Sequence, residues 1–166
     1  MRRSVGCLVL VAACSTGRPS LSAAPQRECI TGVIGTVGPA ATAAVMAHAG
    51  DVSVELDGEI ARRVIQLTGA LVTVCGSIES VNHLRVESLE LREVDGMTAY
   101  LGVLTDSGGE WTLDPETDRA SIPLDGVPSD LARAASTHVW VAGTWIESRL
   151  HVASFGVLSN WGSNFD

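Results

Sequence analysis

The densest group of potential ligands in this sequence is the acidic run Asp114-Pro-Glu-Thr-Asp118, in which carboxylates stand at alternate positions. Asp106 and Glu110 lie a few residues upstream. Oxygen ligands at this spacing could suit Ca²⁺, but an EF-hand-like loop needs Gly at its sixth position, where this chain has Arg119. The spacing therefore favours a solvated loop between two strands, with a calcium-dependent module as the alternative.

The positions of the histidines in the sequence predict no catalytic or metal-binding set. His138 and His151 fall on strands that are expected to pair, but far out of register. His48 and His83 fall in predicted turns, where they are interpreted as solvated polar residues. No Ser-His-Asp or Cys-His set with a supporting motif, and no phosphate-binding loop, occurs in the sequence. The sequence thus predicts no catalytic residue, no metal and no cofactor, and an enzyme is the least favoured class.

The first residues have the pattern of a targeting signal. Met1-Arg2-Arg3 is positively charged, and the apolar stretch from Val5 to Ala13 is too short to span a bilayer. Val11-Ala-Ala-Cys14 then resembles the lipobox of bacterial lipoproteins, which implies that residues 1–13 are removed and that Cys14 carries the lipid. The alternative is an ordinary secretory signal that is cut near Ala23-Ala24.

The same resemblance implies a location in the cell. Ser15 is not the Asp that retains such lipoproteins in the inner membrane, so we expect an outer-membrane anchor facing the periplasm in the bacterial cell envelope. The segment 14–28 is polar and contains Pro, which predicts a flexible tether. With Cys7 removed and Cys14 lipidated, Cys29 and Cys75 remain as an even pair in an oxidising compartment, which predicts a disulfide.

The charge of the chain disfavours nucleic acid as a partner. Eleven Arg and no Lys stand against 19 acidic residues, for a formal net charge of −8. Removal of Arg2 and Arg3 with the signal changes this to 9 − 19 = −10. An acidic surface repels phosphate backbones.

One pattern of elements occurs twice along the remaining chain. An alternating strand with a Gly inside it is followed by a turn and a second strand, at 71–91 and again at 138–157. Glu79 and Glu147 recur in the matching Ile-Glu-Ser turns, where surface positions explain them. Each pair of strands follows three apolar segments and a short predicted helix, at 59–67 in the first copy and 129–135 in the second. In the first copy, residues 40–47 are compatible with either a strand or a helix.

This order of elements resembles the OB-fold, a five-stranded Greek-key barrel with a helix between its third and fourth strands. The resemblance implies an all-β chain of two tandem small OB-like barrels, at 29–96 and 97–159, followed by a tail at 160–166. Gly76 and Gly143 are expected where a barrel strand bends. A phase slip in both fifth strands predicts β-bulges near Ser88 and Ser154.

The tryptophans of the second copy carry the functional expectation. Trp145 is predicted to fill the core, in place of Ile78 in the first copy. Trp140 is predicted to face outward, against either the first copy or a ligand. Together with the second-strand residues of an OB-fold, this indicates a candidate binding surface formed by Trp111, Asp106, Glu110 and Trp140, with burial of Trp111 in the core as the alternative. The expected function is a non-catalytic binding module for a protein or saccharide partner, with a structural spacer as the alternative.

Overall fold

The computed structural model describes residues 27–39, 42–116, 119–159 and 161, and its ten strands form one continuous sheet. The strands are β1 (Arg27–Val37), β2 (Ala44–Ala49), β3 (Val52–Asp57), β4 (Leu71–Ser80), β5 (His83–Val94), β6 (Met97–Ser107), β7 (Glu110–Pro115), β8 (Ile122–Asp125), β9 (His138–Ile146) and β10 (Arg149–Val157). The helices are α1 (Glu59–Val64), which a 3-10 turn (Ile65–Leu67) continues, and α2 (Ser129–Ala132). The prediction of a mostly β chain is confirmed.

The first five strands close on themselves. β1, β2 and β3 form an antiparallel meander, and β4 pairs antiparallel with both β1 and β5. β3 then pairs in parallel with β5, where Leu56 faces Leu84. Each of the five strands therefore has two partners, and we call this set the first ring.

The last five strands repeat the same pairings. β6, β7 and β8 form the meander, β9 pairs with β6 and β10, and β8 pairs in parallel with β10. This second ring is joined to the first by the turn Asp95-Gly96, whose φ angles are 51° and 75°. Val94 and Met97 pair directly across that turn, so β5 and β6 continue one sheet with no separate linker.

Two glycines allow the rings to bend. A Cβ added at Gly76 would lie 1.9 Å from the carbonyl oxygen of Arg85, and one at Gly143 would lie 2.0 Å from that of His151. Neither distance is open to a side chain, so only Gly lets the neighbouring strand come this close. The register of each strand pair shifts beside these glycines, which confirms the bulges predicted near Ser88 and Ser154.

Two clusters of buried aliphatic side chains fill the rings. The first centres on Val72, Val74 and Leu84, and also takes in Ala99, Ala142, Leu158 and Trp161 from the second half of the chain. The second centres on Leu104, Leu113 and Val139. The two halves therefore share packing as well as a sheet. Trp161, from the predicted tail, is buried in the first cluster.

Several element boundaries differ from the sequence predictions, and helix α2, predicted at 129–135, ends at Ala132. β1 begins at Arg27 and not at Cys29, because Arg27 and Glu28 pair with Ser77 and Gly76 and so belong to the sheet instead of the tether. The ambiguous stretch at 40–47 yields a strand from Ala44, which β1 and β3 hold between them. The predicted signal segment, Cys14 and the tether before Arg27 lie outside the described residues.

The predicted disulfide is confirmed. Cys29 on β1 and Cys75 on β4 face each other in the antiparallel register, with an S–S distance of 2.04 Å and a Cα–Cα distance of 4.0 Å. At the matching place in the second ring, Ala99 faces Ala142, and both are buried. The disulfide is therefore a feature of the first ring.

Removing the disulfide by the double substitution Cys29→Ser and Cys75→Ser should lower the free energy of unfolding by about 4 kcal/mol, because the bond closes a loop of 46 residues in the unfolded chain. Urea unfolding of the oxidised protein and of the double variant measures the difference. Reduction of the unsubstituted protein should give a similar loss. Equal unfolding midpoints in all three samples would contradict a stabilising role.

Candidate functional site

Three residues of the predicted binding surface lie on one hairpin. Asp106 pairs with Trp111 across β6 and β7, and Glu110 pairs with Ser107 beside them. The backbone N–H of Gly109 donates a 2.7 Å hydrogen bond to the Asp106 carboxylate, which therefore stabilises the turn. Trp111 is half-buried against the second core cluster. The hairpin exposes its two carboxylates but only part of its indole ring.

Trp140, the fourth residue, lies elsewhere. It pairs with Leu101 on β6, five residues from Asp106, which corresponds to about 17 Å along the strand. Its ring is half-buried and packs against the first core cluster. It also covers Gly156, where an added Cβ would lie only 2.3 Å from the indole nitrogen. Trp140 thus packs against the cluster that the two halves of the chain share, and its role in contacting a ligand stays a prediction.

The prediction that Trp145 fills the core is wrong. Its side chain is 44% exposed, and the neighbouring Thr144 and Ile146 are exposed as well, because the end of β9 extends beyond the packed interior. The indole N–H of Trp145 donates a 2.9 Å hydrogen bond to the Tyr100 hydroxyl. The two rings meet edge to face with their centres 6.1 Å apart.

The acidic run is partly engaged within the protein. Hydrogen bonds from the hydroxyls of Ser121 and Thr105 lower the pKa of Asp114, and the Thr105 bond measures 2.7 Å. A Glu116 oxygen lies 3.0 Å from the His138 Nε2 atom. Residues 117 and 118 lie outside the described part of the chain. The carboxylates of Asp114 and Glu116 therefore have internal partners already.

An apolar cleft opens at one end of the first ring. Its volume is about 240 Å³. We call it the ring cleft, and its lining is aliphatic with a short polar edge: Ile30, Val52, Val54, Ile78, Val81 and Leu84, with Glu28, Ser80 and His83. Val81, in the turn after β4, is 95% exposed, while Val52 is 55% and Ile78 is 37% exposed. Solvent-exposed aliphatic side chains grouped around a concavity are typical of a binding surface.

The second ring fills the corresponding place with aromatic rings. Ile30 pairs with Val74 as Tyr100 pairs with Val141, and Ile78 pairs with Leu84 as Trp145 pairs with Leu150. Ile30 and Ile78, two of the aliphatic residues that line the cleft, are thus matched by Tyr100 and Trp145, whose rings are in contact. The ring cleft belongs to the first half of the chain.

A polar group borders the ring cleft. His83 on β5, Asp57 on β3 and Glu79 on β4 bring one nitrogen and two carboxylate oxygens within 4.8 Å of one another, and we call these three residues the rim cluster. The backbone N–H of Gly58, above all, lowers the pKa of Asp57, and the charges of His83 and Arg85 lower it further. Arg85 also forms an ion pair with Glu79 at 2.6 Å.

Sequence reasoning missed this group because it placed His83 and His48 in turns. Both lie on strands instead: His83 begins β5, and His48 lies on β2 with its Nδ1 atom 2.8 Å from the Ser53 hydroxyl. The parallel pairing of β3 with β5 brings Asp57 to His83 across 26 residues of sequence. Nothing local in the sequence indicates that pairing.

Comparison with protein-family models, with curated proteins and with solved structures finds no match to this chain. Within the described residues, no helix has the length and apolar character needed to cross a membrane. Function is therefore inferred from the residues of this chain alone.

Replacing Thr105 by Val should lower the free energy of unfolding by an amount that depends on pH. The pKa of Asp114 is lower in the folded than in the unfolded state, so its stabilising contribution is present above the unfolded value and is lost as the pH falls through the folded value. At neutral pH we expect the variant's free energy of unfolding to be lower by about 1 kcal/mol. In acid, below both pKa values of Asp114, this difference should become smaller. Urea unfolding at the two pH values measures it, and a loss of equal size at both would contradict a role for the Asp114 charge.

Proposed function

We propose that this protein is a non-catalytic binding module of the bacterial cell envelope, and that its first ring binds an apolar segment of a partner protein. The observation that carries this proposal is the ring cleft. Burial of apolar surface contributes about 25 cal/mol per Å², so the exposed side chains around the cleft would gain free energy from a partner that covers them.

The cleft is built on a rigid frame. Its walls come from four strands of a closed ring, and Ile30 in its lining adjoins the disulfide-bonded Cys29. A preformed concavity loses little conformational entropy when a ligand binds, which favours affinity. Val81 is the most exposed of the aliphatic residues in the lining and would be the first apolar group to contact a partner.

The chemistry of the cleft favours protein over saccharide. Saccharides are commonly held by stacking on aromatic rings, and the lining residues of this cleft are aliphatic. The edge carries Glu28, with Glu79 and Asp57 in the adjacent rim cluster. This distribution suits a segment with apolar side chains and a basic flank, since opposite charges steer association and fix orientation.

We further infer that each ring is an OB-like barrel, so that the chain holds two tandem barrels at 29–96 and 97–159. The order of pairings supports this, because each antiparallel meander is closed by one parallel contact and a short helix follows the third strand. The aromatic pair in the second ring and the cleft in the first indicate that the copies have different roles.

The lipobox-like sequence at Cys14 and the disulfide together support an envelope location, since disulfides persist outside the reducing cytoplasm. We propose an outer membrane anchor facing the periplasm. In that arrangement the membrane is a partner only through the lipid, and nucleic acid is not a partner.

Cys14→Ser should abolish incorporation of a fatty-acid analogue when the full-length chain is expressed in a bacterium that processes lipoproteins. The thiol at Cys14 is the atom that would be acylated, and Ser cannot replace it. Cys7 lies in the same N-terminal segment, so Cys7→Ser is the matched control, and this variant should be labelled like the unsubstituted chain. Labelling of the Cys14 variant at the level of the unsubstituted chain would rule out the anchor.

Val81→Asp should weaken partner binding at least about tenfold, because it places a charge at the entrance of an apolar interface. Val157→Asp is the matched control, since Val157 is a half-exposed valine on the second ring, away from the cleft. Proteins crosslinked to the full-length chain in envelope extract would be identified, purified and titrated with all three forms.

The proposal requires a purified protein that loses affinity with Val81→Asp and keeps it with Val157→Asp. Equal loss or no loss with both variants would contradict a role for the cleft. Retention of a glycan from the same extract, with dependence on Val81, would assign a saccharide ligand instead. If no ligand depends on Val81, the chain is better described as a spacer.

A further inference from the structure

We propose that the rim cluster of Asp57, Glu79 and His83 binds a divalent transition-metal ion such as Zn²⁺. This site borders the ring cleft and shares His83 with its lining, but binding of the ion does not require a partner protein in the cleft. The His83 Nε2 atom lies 3.8 Å from an Asp57 oxygen and 3.7 Å from a Glu79 oxygen. Both distances exceed those of a direct hydrogen bond.

The three donor atoms therefore surround a space of suitable size. Zinc binds nitrogen and carboxylate oxygen at about 2.0–2.2 Å, so two ligands of a tetrahedral site are about 3.4 Å apart. The 3.8 Å and 3.7 Å distances from His83 Nε2 are close to that separation, and the three donor atoms lie within 4.8 Å of one another, so the side chains would close around a bound ion.

Neighbouring groups already orient the two carboxylate ligands. Arg85 holds the Glu79 Oε1 atom at 2.6 Å, which leaves Oε2 to face His83. The Gly58 N–H donates to the Asp57 carboxylate. A Glu55 oxygen lies 3.8 Å from the other His83 nitrogen, Nδ1. A carboxylate hydrogen-bonded to a ligating imidazole fixes its tautomer and increases its basicity, and Glu55 would take this role by moving closer to Nδ1.

Charge and donor type agree on the class of ion. The carboxylates of Asp57, Glu79 and Glu55 carry three negative charges and Arg85 carries one positive charge, so the local charge is −2 with His83 neutral. A dication would neutralise it. An imidazole ligand favours Zn²⁺ and related ions over Ca²⁺ or Mg²⁺, which prefer oxygen alone. Three protein ligands leave one position for water or an incoming group.

The second ring provides an internal control. Asp125 pairs with His151 as Asp57 pairs with Arg85, so Arg149 corresponds to His83 and the nitrogen ligand is missing from the matching place. Within the part of the chain that the structure describes, the rim cluster is the one set of three such side chains that converges. One site, in the first ring, is therefore expected.

Titration of the full-length, metal-free protein with ZnCl₂ in a calorimeter tests the site. One equivalent should bind, and His83→Ala should weaken binding at least about tenfold because it removes the nitrogen ligand. Asp57→Asn should weaken binding similarly while keeping the shape of the side chain. His151→Ala, the matched control, should bind like the unsubstituted protein. Visible absorption of the Co²⁺ form should show a spectrum of a nitrogen–oxygen site, and His83→Ala should abolish it.

Thermal melting separates a lost ligand from a lost fold. Zn²⁺ should raise the melting temperature of the unsubstituted protein and of His151→Ala, but not that of a folded His83→Ala or Asp57→Asn variant. Absence of one-equivalent binding, unchanged binding by both rim variants, or loss of binding with His151→Ala would overturn the proposal.

Discussion

The parallel contact between β3 and β5, repeated between β8 and β10, is the interaction on which the rest of the structure depends. Without it each half of the chain would be an open antiparallel sheet with two free edges, and its apolar face would lie in water. Closure brings β4 very close to β5 in the first ring, and β9 very close to β10 in the second. Gly76 and Gly143 permit this, because any side chain there would overlap a carbonyl oxygen of the neighbouring strand. The bulges beside them add the bend that a small ring needs.

The two rings share this frame but differ where side chains meet at their ends. The cross-strand pair Cys29 and Cys75 corresponds to Ala99 and Ala142, which are buried where the halves of the chain pack together. The first ring thus has a covalent brace on β1 and β4, whereas the second has small residues that admit a close neighbour. The apolar end of the first ring is open, and the aromatic pair occupies the matching end of the second. A few substitutions on one backbone therefore give the two rings ends of different chemistry, one an aliphatic cleft and the other an aromatic pair.

The ring cleft and the rim cluster depend on the same contact. His83 belongs to both, because it begins β5 at the point where that strand meets β3 and β4. Strand ends are good positions for functional groups, since the ladder holds the backbone while the side chains project beyond the packed interior. The cleft has an aliphatic lining and the cluster has two carboxylates and an imidazole, so two different chemistries lie side by side at this end of the first ring.

Local pattern in the sequence was enough to predict most of the strands, their repeated order and the two bulges. It left residues 40–47 open between strand and helix, and the Cys29–Cys75 pair followed from the cysteine count and the expected oxidising compartment. Alternation reports which face of a strand is apolar, and a residue inserted into that alternation is visible wherever it occurs. Alternation does not report which strand lies alongside or where a strand leaves the interior. Trp145 is in the alternation phase of the core residues, yet its side chain is 44% exposed, because β9 extends beyond the packed region. Asp57 and His83 were each unremarkable in sequence, and only the non-local pairing of β3 with β5 placed their polar atoms around a common space.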